Sequence, residues 1–288
     1  MITLSQREQF QREGYLIARA VFDADTLERL RLPARRIQQK TRETLPSGTR
    51  FWYGNAEDRQ IIPDELKPMA TWGVNEITRP ELFEPELVDV FAHPGVHKAM
   101  HILLGDEPRA WGIKVLWTPK VVGYNLGWHR DLDSSLYDVI HLKPAAQDHV
   151  QFNAALNADY CFLVIPGSHR RPLTETEWDA IRNDKTRDLP RQVVAALEPG
   201  DILYMDAHTL HRGRSTTEGD RLTLHYSAQA QWVPLKEWGT KEDFQWITSD
   251  AFMEQLAPAA RPFYERLRQA TRTEDAMSFL RAVSPQKI

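Results

Sequence analysis

At 288 residues and 42% hydrophobic content, the chain has room for one large domain or two small ones and enough apolar residues for a sizeable core, which excludes wholesale disorder. A formal net charge of −4 gives no basis for a nucleic-acid footprint. The single cysteine, Cys161, excludes an intrachain disulfide framework and fits a reducing compartment.

The first residues, Met1-Ile2-Thr3-Leu4-Ser5-Gln6-Arg7-Glu8, are polar and mixed in charge, without the basic start and apolar run of a signal peptide. No stretch approaches the ~20 apolar residues of a membrane span. A soluble, cytoplasmic protein is expected.

Residues 4–13 predict a short polar helix, and Gly14-Tyr15-Leu16-Ile17 a strand. Asp23 or Asp25 caps a second helix with Leu27, Leu30 and Ile37 on its apolar stripe. Residues 45–80, rich in Pro, Gly and aromatics, read as a long irregular loop. Leu82 to Leu104 reads as helix, disturbed near Pro94-Gly95 and stopped by Gly105. Beyond Glu107 the texture changes to short apolar runs between turn residues: Ala110–Thr118, Val150–Leu156, Cys161–Ile165, Gln192–Leu197, Asp201–Met205 and Leu222–Gln229. Several alternate with period two, and their spacing suits an antiparallel barrel or sandwich. After Val233 the pattern is helical again. One domain over residues 1–288 is expected, with a β core at roughly 110–233 and helical elaborations at 1–109 and 234–288.

Two stretches carry the chemistry. Gly127-Trp128-His129-Arg130-Asp131 places an imidazole and a carboxylate two residues apart, on one face if the segment is extended. Asp206-Ala207-His208-Thr209-Leu210-His211-Arg212-Gly213 supplies a second imidazole, and Arg221 a guanidinium ten residues beyond His211. Two histidines and one carboxylate on one face of a metal leave positions open, as non-haem Fe(II) needs to bind both a co-substrate and O2. Arg221 starts an alternating strand with Thr223 and His225 on its own face. Inside a barrel its charge needs a partner, either a bound carboxylate or a protein acid, unless it reaches solvent.

With these motifs in place, the chain resembles the phytanoyl-CoA dioxygenase family of Fe(II)/2-oxoglutarate oxygenases over most of its length. Phe10-Gln11-Arg12-Glu13-Gly14-Tyr15-Leu16-Ile17 resembles the family's opening helix and strand. Trp128-His129-Arg130-Asp131 resembles its ligand motif, and Pro166-Gly167-Ser168-His169 its characteristic turn. Gly200-Asp201-Ile202-Leu203, leading to Leu210-His211, resembles the distal histidine strand. The resemblance implies a double-stranded β-helix (a cupin-like jelly roll) with flanking helices, an α+β fold. It implies His129, Asp131 and His211 as catalytic iron ligands and Arg221 as partner of the 2-oxoglutarate C5 carboxylate. Asn153 resembles an inward position that touches the co-substrate, and Gln151 shares its face. Where many relatives carry serine and then asparagine after the distal histidine, this sequence has Gly213 and Thr216, so hydrogen bonding beside Arg221 is expected to pass to Thr223 or Ser215. The implied reaction consumes O2 and 2-oxoglutarate, releases succinate and CO2, and hydroxylates or otherwise oxidises a C–H bond of a small molecule. Halogenating relatives lack the carboxylate that Asp131 supplies. A non-catalytic ligand-binding barrel and a zinc-dependent hydrolase on the same ligands are the alternatives; the hydrolase leaves Arg221 without a task.

The remaining candidates read as structural. His93, His97 and His101 are spaced for one helix face but lack an acidic or cysteine ligand. His169 falls in a turn leaving the core, His208 neighbours the ligand, and Cys161 reads as a small buried hydrophobe. Arg212 and Arg214 are expected to face water or, as the alternative, an acidic substrate. The polar segment Leu132–His149 is a candidate lid, and Phe51-Trp52-Tyr53 a candidate pocket wall.

Overall fold

The computed structural model describes residues 2–44, 51–54, 61–131, 147–233 and 245–272, with only the backbone described for Phe51, Trp52, Tyr53 and Arg272. The candidate lid lies outside the described residues up to Gln147.

The N-terminal helix spans Leu4–Glu13 as expected, with Thr3 and Gln6 forming a reciprocal capping box. It ends on Gly14, whose φ of +79° is left-handed. The second helix, Ala24–Thr44, starts at Asp23, whose carboxylate accepts the Thr26 amide at 2.8 Å, and buries Leu27, Leu30 and Ile37. The helix expected over 82–104 is three pieces: Pro85–Val88, a 3-10 turn Asp89–Ala92, and Pro94–Leu104. Pro94 opens the last piece, because a first-turn proline gives up no helical hydrogen bond. His93 caps it through the Gly95 amide.

Among the described residues, eleven strands form two sheets. They are β1 (Tyr15–Ala18), β2 (Phe51–Tyr53), β3 (Thr71–Asn75), β4 (Pro108–Trp117), β5 (Tyr124–Asn125), β6 (His149–Ala155), β7 (Phe162–Val164), β8 (Val193–Val194), β9 (Ile202–Asp206), β10 (His211–Ser215) and β11 (Leu222–Ala230). The larger sheet has the order β1-β9-β6-β11-β4-β3-β2 and the smaller β5-β10-β7-β8, with every pairing antiparallel. The expected jelly-roll architecture is present. Two strands depart from expectation: β2 and β3 lie inside the segment read as an irregular loop. His211 lies past the end of β9 and opens β10.

β11 explains how the larger sheet is used. All nine of its residues are buried, polar and apolar alike. Leu222, Leu224, Tyr226 and Ala228 join the main core with Val150, Phe152 and Ala154 of β6 and the helix residues Phe91, Phe263 and Tyr264. Thr223, His225, Ser227 and Gln229 are equally buried but face the interior between the sheets. Alternation here separates a helix-covered face from a site face, not a core from solvent. The main hydrophobic cluster runs from Ile2 to Ala270, so helices from both ends of the chain pack on the same sheet.

Candidate active site

His129 and His211, 82 residues apart in sequence, form an isolated antiparallel bridge in which each amide donates to the other's carbonyl at 3.0 Å. The segment around His129 is otherwise irregular, so the expected strand carrying His129 and Asp131 reduces to that one bridge. Asp131 is fixed independently, its amide donating to the Ala207 carbonyl at 3.2 Å. The two imidazoles stand 4.4 Å apart between ring centres. The Asp131 oxygens lie 3.8 Å from His129 Nε2 and 3.4 Å from His211 Nε2. One donor atom from each of the three side chains lies within 4.8 Å of the others.

The surroundings decide which nitrogens face that point. His129 Nδ1 meets the Gly127 carbonyl and His211 Nδ1 the Thr209 carbonyl, both at 2.8 Å. Each Nδ1–H therefore donates to a carbonyl, and each Nε2 lone pair is left toward Asp131. Phe162 stacks on the far side of the His211 ring. Burial lowers His211 to about 4, outweighing the pull of Asp131. Burial alone would raise Asp131, but the imidazoles of His211 and His129 hold its carboxyl well below the usual range. Gln151 donates from Nε2 to Asp131 Oδ2.

A cavity of about 200 Å³ opens beside the three side chains, walled also by Trp72, Lys114, Tyr124, Phe162, Arg221 and His225. Arg221 is buried and points inward, and it already holds a protein acid. Its Nε donates to Asp159 Oδ2 at 2.8 Å, and its Nη1 donates to the Tyr124 hydroxyl. Burial would lower the guanidinium, but Asp159 raises it above its ordinary value. Thr223 donates its hydroxyl to the same Asp159 oxygen at 2.7 Å, and the Cys161 amide donates to the other at 2.9 Å. Thr223 and Gln151 therefore stand behind the cavity wall, bonded to Asp159 and Asp131. Asn153 is buried with its Oδ1 unpartnered. Ser215 turns its hydroxyl to the Thr216 carbonyl.

Sequence reasoning missed Asp159, Tyr124 and Lys114. Asp159 lies in a loop with no motif around it; Lys114 carries a signal in retrospect, a lysine within the apolar run from Ala110 to Trp117 of β4. One expectation is overturned. Arg212 is fully buried, not in water, because the 184–189 segment folds over it. It donates to Asn125 Oδ1 at 2.9 Å and to Asp188 Oδ1 at 2.5 Å, and lies 5.0 Å over Trp128. Arg214 is half-exposed beside Asp188. His169 ties its turn to the first helix through the Gln11 carbonyl, and His208 bonds Asp148 at 2.9 Å. Cys161 is half-buried, not fully buried.

A family model described as phytanoyl-CoA dioxygenase matches residues 10–223, which contain the triad and Arg221. The chain belongs to the phytanoyl-CoA dioxygenase family. Among its relatives, the peroxisomal phytanoyl-CoA dioxygenase of Rattus norvegicus is 26% identical over 270 residues, covering 84% of this chain and 73% of that protein. The dioxygenase aneA of Aspergillus aculeatus is 25% identical over 179 residues, covering 60% of this chain and 56% of that one. Among solved structures, AviO1 from Streptomyces viridochromogenes superposes with a TM-score of 0.60 at 17% identity, covering 83% of this chain and 100% of that one. EctD from S. alaskensis with 2-oxoglutarate and 5-hydroxyectoine also gives 0.60, at 18% identity over 84% of this chain and 81% of that one. These structures share the fold of this phytanoyl-CoA dioxygenase family member. Among its described residues, no helix is long and apolar enough to cross a membrane.

Proposed function

We propose that this protein is an Fe(II)/2-oxoglutarate-dependent dioxygenase that oxidises a C–H bond of a small molecule. The observation that carries this reading is the meeting of His129, Asp131 and His211 around one point, with their donor atoms within 4.8 Å of each other and Arg221 in the same cavity. The donor set fits Fe(II): two neutral imidazole nitrogens and one carboxylate, leaving open positions. When bound, iron supplies O2 activation coupled to the cleavage of 2-oxoglutarate to succinate and CO2.

The chain's own residues bind and orient. Arg221 takes the C5 carboxylate of 2-oxoglutarate with the guanidinium face that Asp159 and Tyr124 leave open. Asp159, held by Thr223 and the Cys161 amide, sets the direction of that face. Gln151 fixes the Asp131 carboxylate. Trp72, Phe162 and Leu126 keep water from the cavity. Asn153 supplies a further inward acceptor. The main core, common to helices from both ends, supports reading residues 1–288 as a single oxygenase domain. The lone cysteine supports a cytoplasmic location.

The test is an anaerobic titration of the metal-free protein with Fe(II) and 2-oxoglutarate, followed by air and a metabolite panel, scoring succinate. Release that needs iron, 2-oxoglutarate and O2 together is expected. Turnover of any panel member under nitrogen points to hydrolysis, and failure of Fe(II) to bind removes the assignment.

A further inference from the structure

The inner face of the larger sheet continues past the metal ligands, away from Arg221. Directly opposite residues on neighbouring strands share a face and mark out its rows. Ser227 of β11 lies between Gly112 of β4 and Gln151 of β6, and Gln151 holds Asp131. One row further, roughly 7 Å along the strand, Gln229 lies between Arg109 and His149.

That last row is short of counter-charge. Arg109 is buried, and no carboxylate pairs with it among the described residues. Its donors reach neutral oxygens only: Gln229 Oε1 and the Val233 carbonyl at 2.7 Å each, and the Gln231 carbonyl at 3.4 Å. Its Nε–H has no acceptor. Burial lowers the guanidinium to about 10, with no acid to oppose the shift. His149 is fully buried with both ring nitrogens unpartnered, its ring at right angles to Trp111 with centroids 4.9 Å apart. The acids that act on His149 are engaged elsewhere, Asp131 with the two ligand imidazoles and Asp148 with His208 Nε2 at 2.9 Å. Between this row and the metal ligands the face is open: a Cβ on Gly112 would meet no atom of the described residues within 4 Å.

A buried cation without a counter-ion is costly, and an oxyanion that accepts its free N–H offsets that cost. A buried imidazole with neither nitrogen paired offers a second donor. In the reading of the site given above, both carboxylates of 2-oxoglutarate are assigned elsewhere, to the metal and to Arg221 at the other end of the face. We propose that Arg109, with His149 beside it, binds an anionic group (carboxylate or phosphate) of the primary substrate. The substrate then lies along the open row at Gly112, with its oxidisable C–H toward the metal ligands. Arg109 and His149 are specificity residues that select acidic substrates over neutral ones. This inference rests on the oxygenase reading, and its test separates the two.

Ni(II) in place of Fe(II) gives a protein that binds without turning over. Wild-type, Arg109→Gln, Arg109→Lys and His149→Leu proteins are loaded with Ni(II) and 2-oxoglutarate, each binding step being followed by calorimetry. They are then titrated with hexanoate and benzoate against their amides, and with phenyl phosphate against phenol; thermal melts check that each variant is folded. In the wild type at least one anion binds at least about tenfold tighter than its neutral counterpart, and the arm that responds names the group. Arg109→Gln removes that preference, Arg109→Lys retains at least about threefold, and His149→Leu lowers it at least about threefold. Affinity for 2-oxoglutarate stays within about threefold in all three variants, because Arg221 is untouched. A wild type that shows no preference for any anion overturns the inference, as does a preference that survives Arg109→Gln. A larger loss of 2-oxoglutarate affinity in Arg109→Gln also overturns it, because the arginine then serves the co-substrate. If Arg109→Gln fails to fold, His149→Leu decides by the same measure. A wild type that binds neither Ni(II) nor 2-oxoglutarate sinks the oxygenase reading instead.

Discussion

Asp159 is the residue whose removal separates packing from charge. Its carboxylate joins a buried guanidinium, a buried hydroxyl and a backbone amide. Asp159→Asn keeps the shape and leaves Arg221 charged without its counter-ion. Breaking a buried pair from one side costs about 3–5 kcal/mol. Urea unfolding of the metal-free variant is expected to show a loss of that order; an unchanged midpoint means that water or another acid reaches Arg221. In the triad, His129→Ala or Asp131→Ala is expected to abolish Fe(II)-dependent consumption of 2-oxoglutarate, read as succinate, and full turnover in either variant removes the assignment. Arg221→Ala is expected chiefly to weaken 2-oxoglutarate binding, measured by calorimetry on the Fe(II) protein without air. The titrating groups give a signed prediction for the metal-free protein. Burial lowers His211 and His149 to about 4, against about 6.5 in an unfolded chain. Between those values the unfolded chain binds the extra protons, so stability falls as pH drops from about 6.5 to 4, by a few kcal/mol at most for each group. His149→Gln flattens that slope in denaturation curves taken across the window. An identical slope refutes the assignment to His149.

At the scale of elements, the turn at Gly14 joins three parts of the molecule. A Cβ there would lie 2.5 Å from Thr209 Oγ1 and 2.6 Å from His169 Nδ1, at a φ of +79°. Thr209 donates to the Gly14 carbonyl at 3.0 Å and, through its own carbonyl, orients His211. Gly14→Ala is expected to cost more than the roughly 1 kcal/mol of left-handed strain alone, and to weaken metal binding as well as stability. A thermal shift without any change in metal affinity would show that the N-terminal helix and His211 are uncoupled. The elements themselves were legible where local physics dominates: the capped helix at Leu4–Glu13 and the alternating run of β11 lie where sequence pattern places them. β2 and β3 escaped because short strands among prolines and glycines carry no periodicity. β8 shrank to two exposed residues for the same reason.

For the whole molecule, the two stretches that supply His129, Asp131, His211 and Arg221 were legible as local motifs, and four motifs in order narrowed the family; that His211 and Arg221 meet the first stretch beside one cavity is the work of the fold. The remainder of the site was not legible, since Lys114 and Tyr124 in the cavity wall and Asp159 behind Arg221 come from separate strands and loops that only the fold brings together. Arg212 shows the same limit. A charged residue flanking a glycine reads as surface, and nothing nearby in sequence announces that residues 184–189 will cover it.

The mutual amide–carbonyl pair between His129 and His211 has a bearing on how an ion enters. Both imidazoles hang from one backbone staple made of the chain's own amides and carbonyls, each with its ring turned by a carbonyl two residues away. Those hydrogen bonds need no ion to form, so little chain is expected to be ordered on capture and the entropic toll on binding is expected to be small. Stripping the protein with a chelator should leave the mouth of the site in shape, and re-addition of Fe(II) should restore it in a single concentration-dependent step with no slow refolding phase.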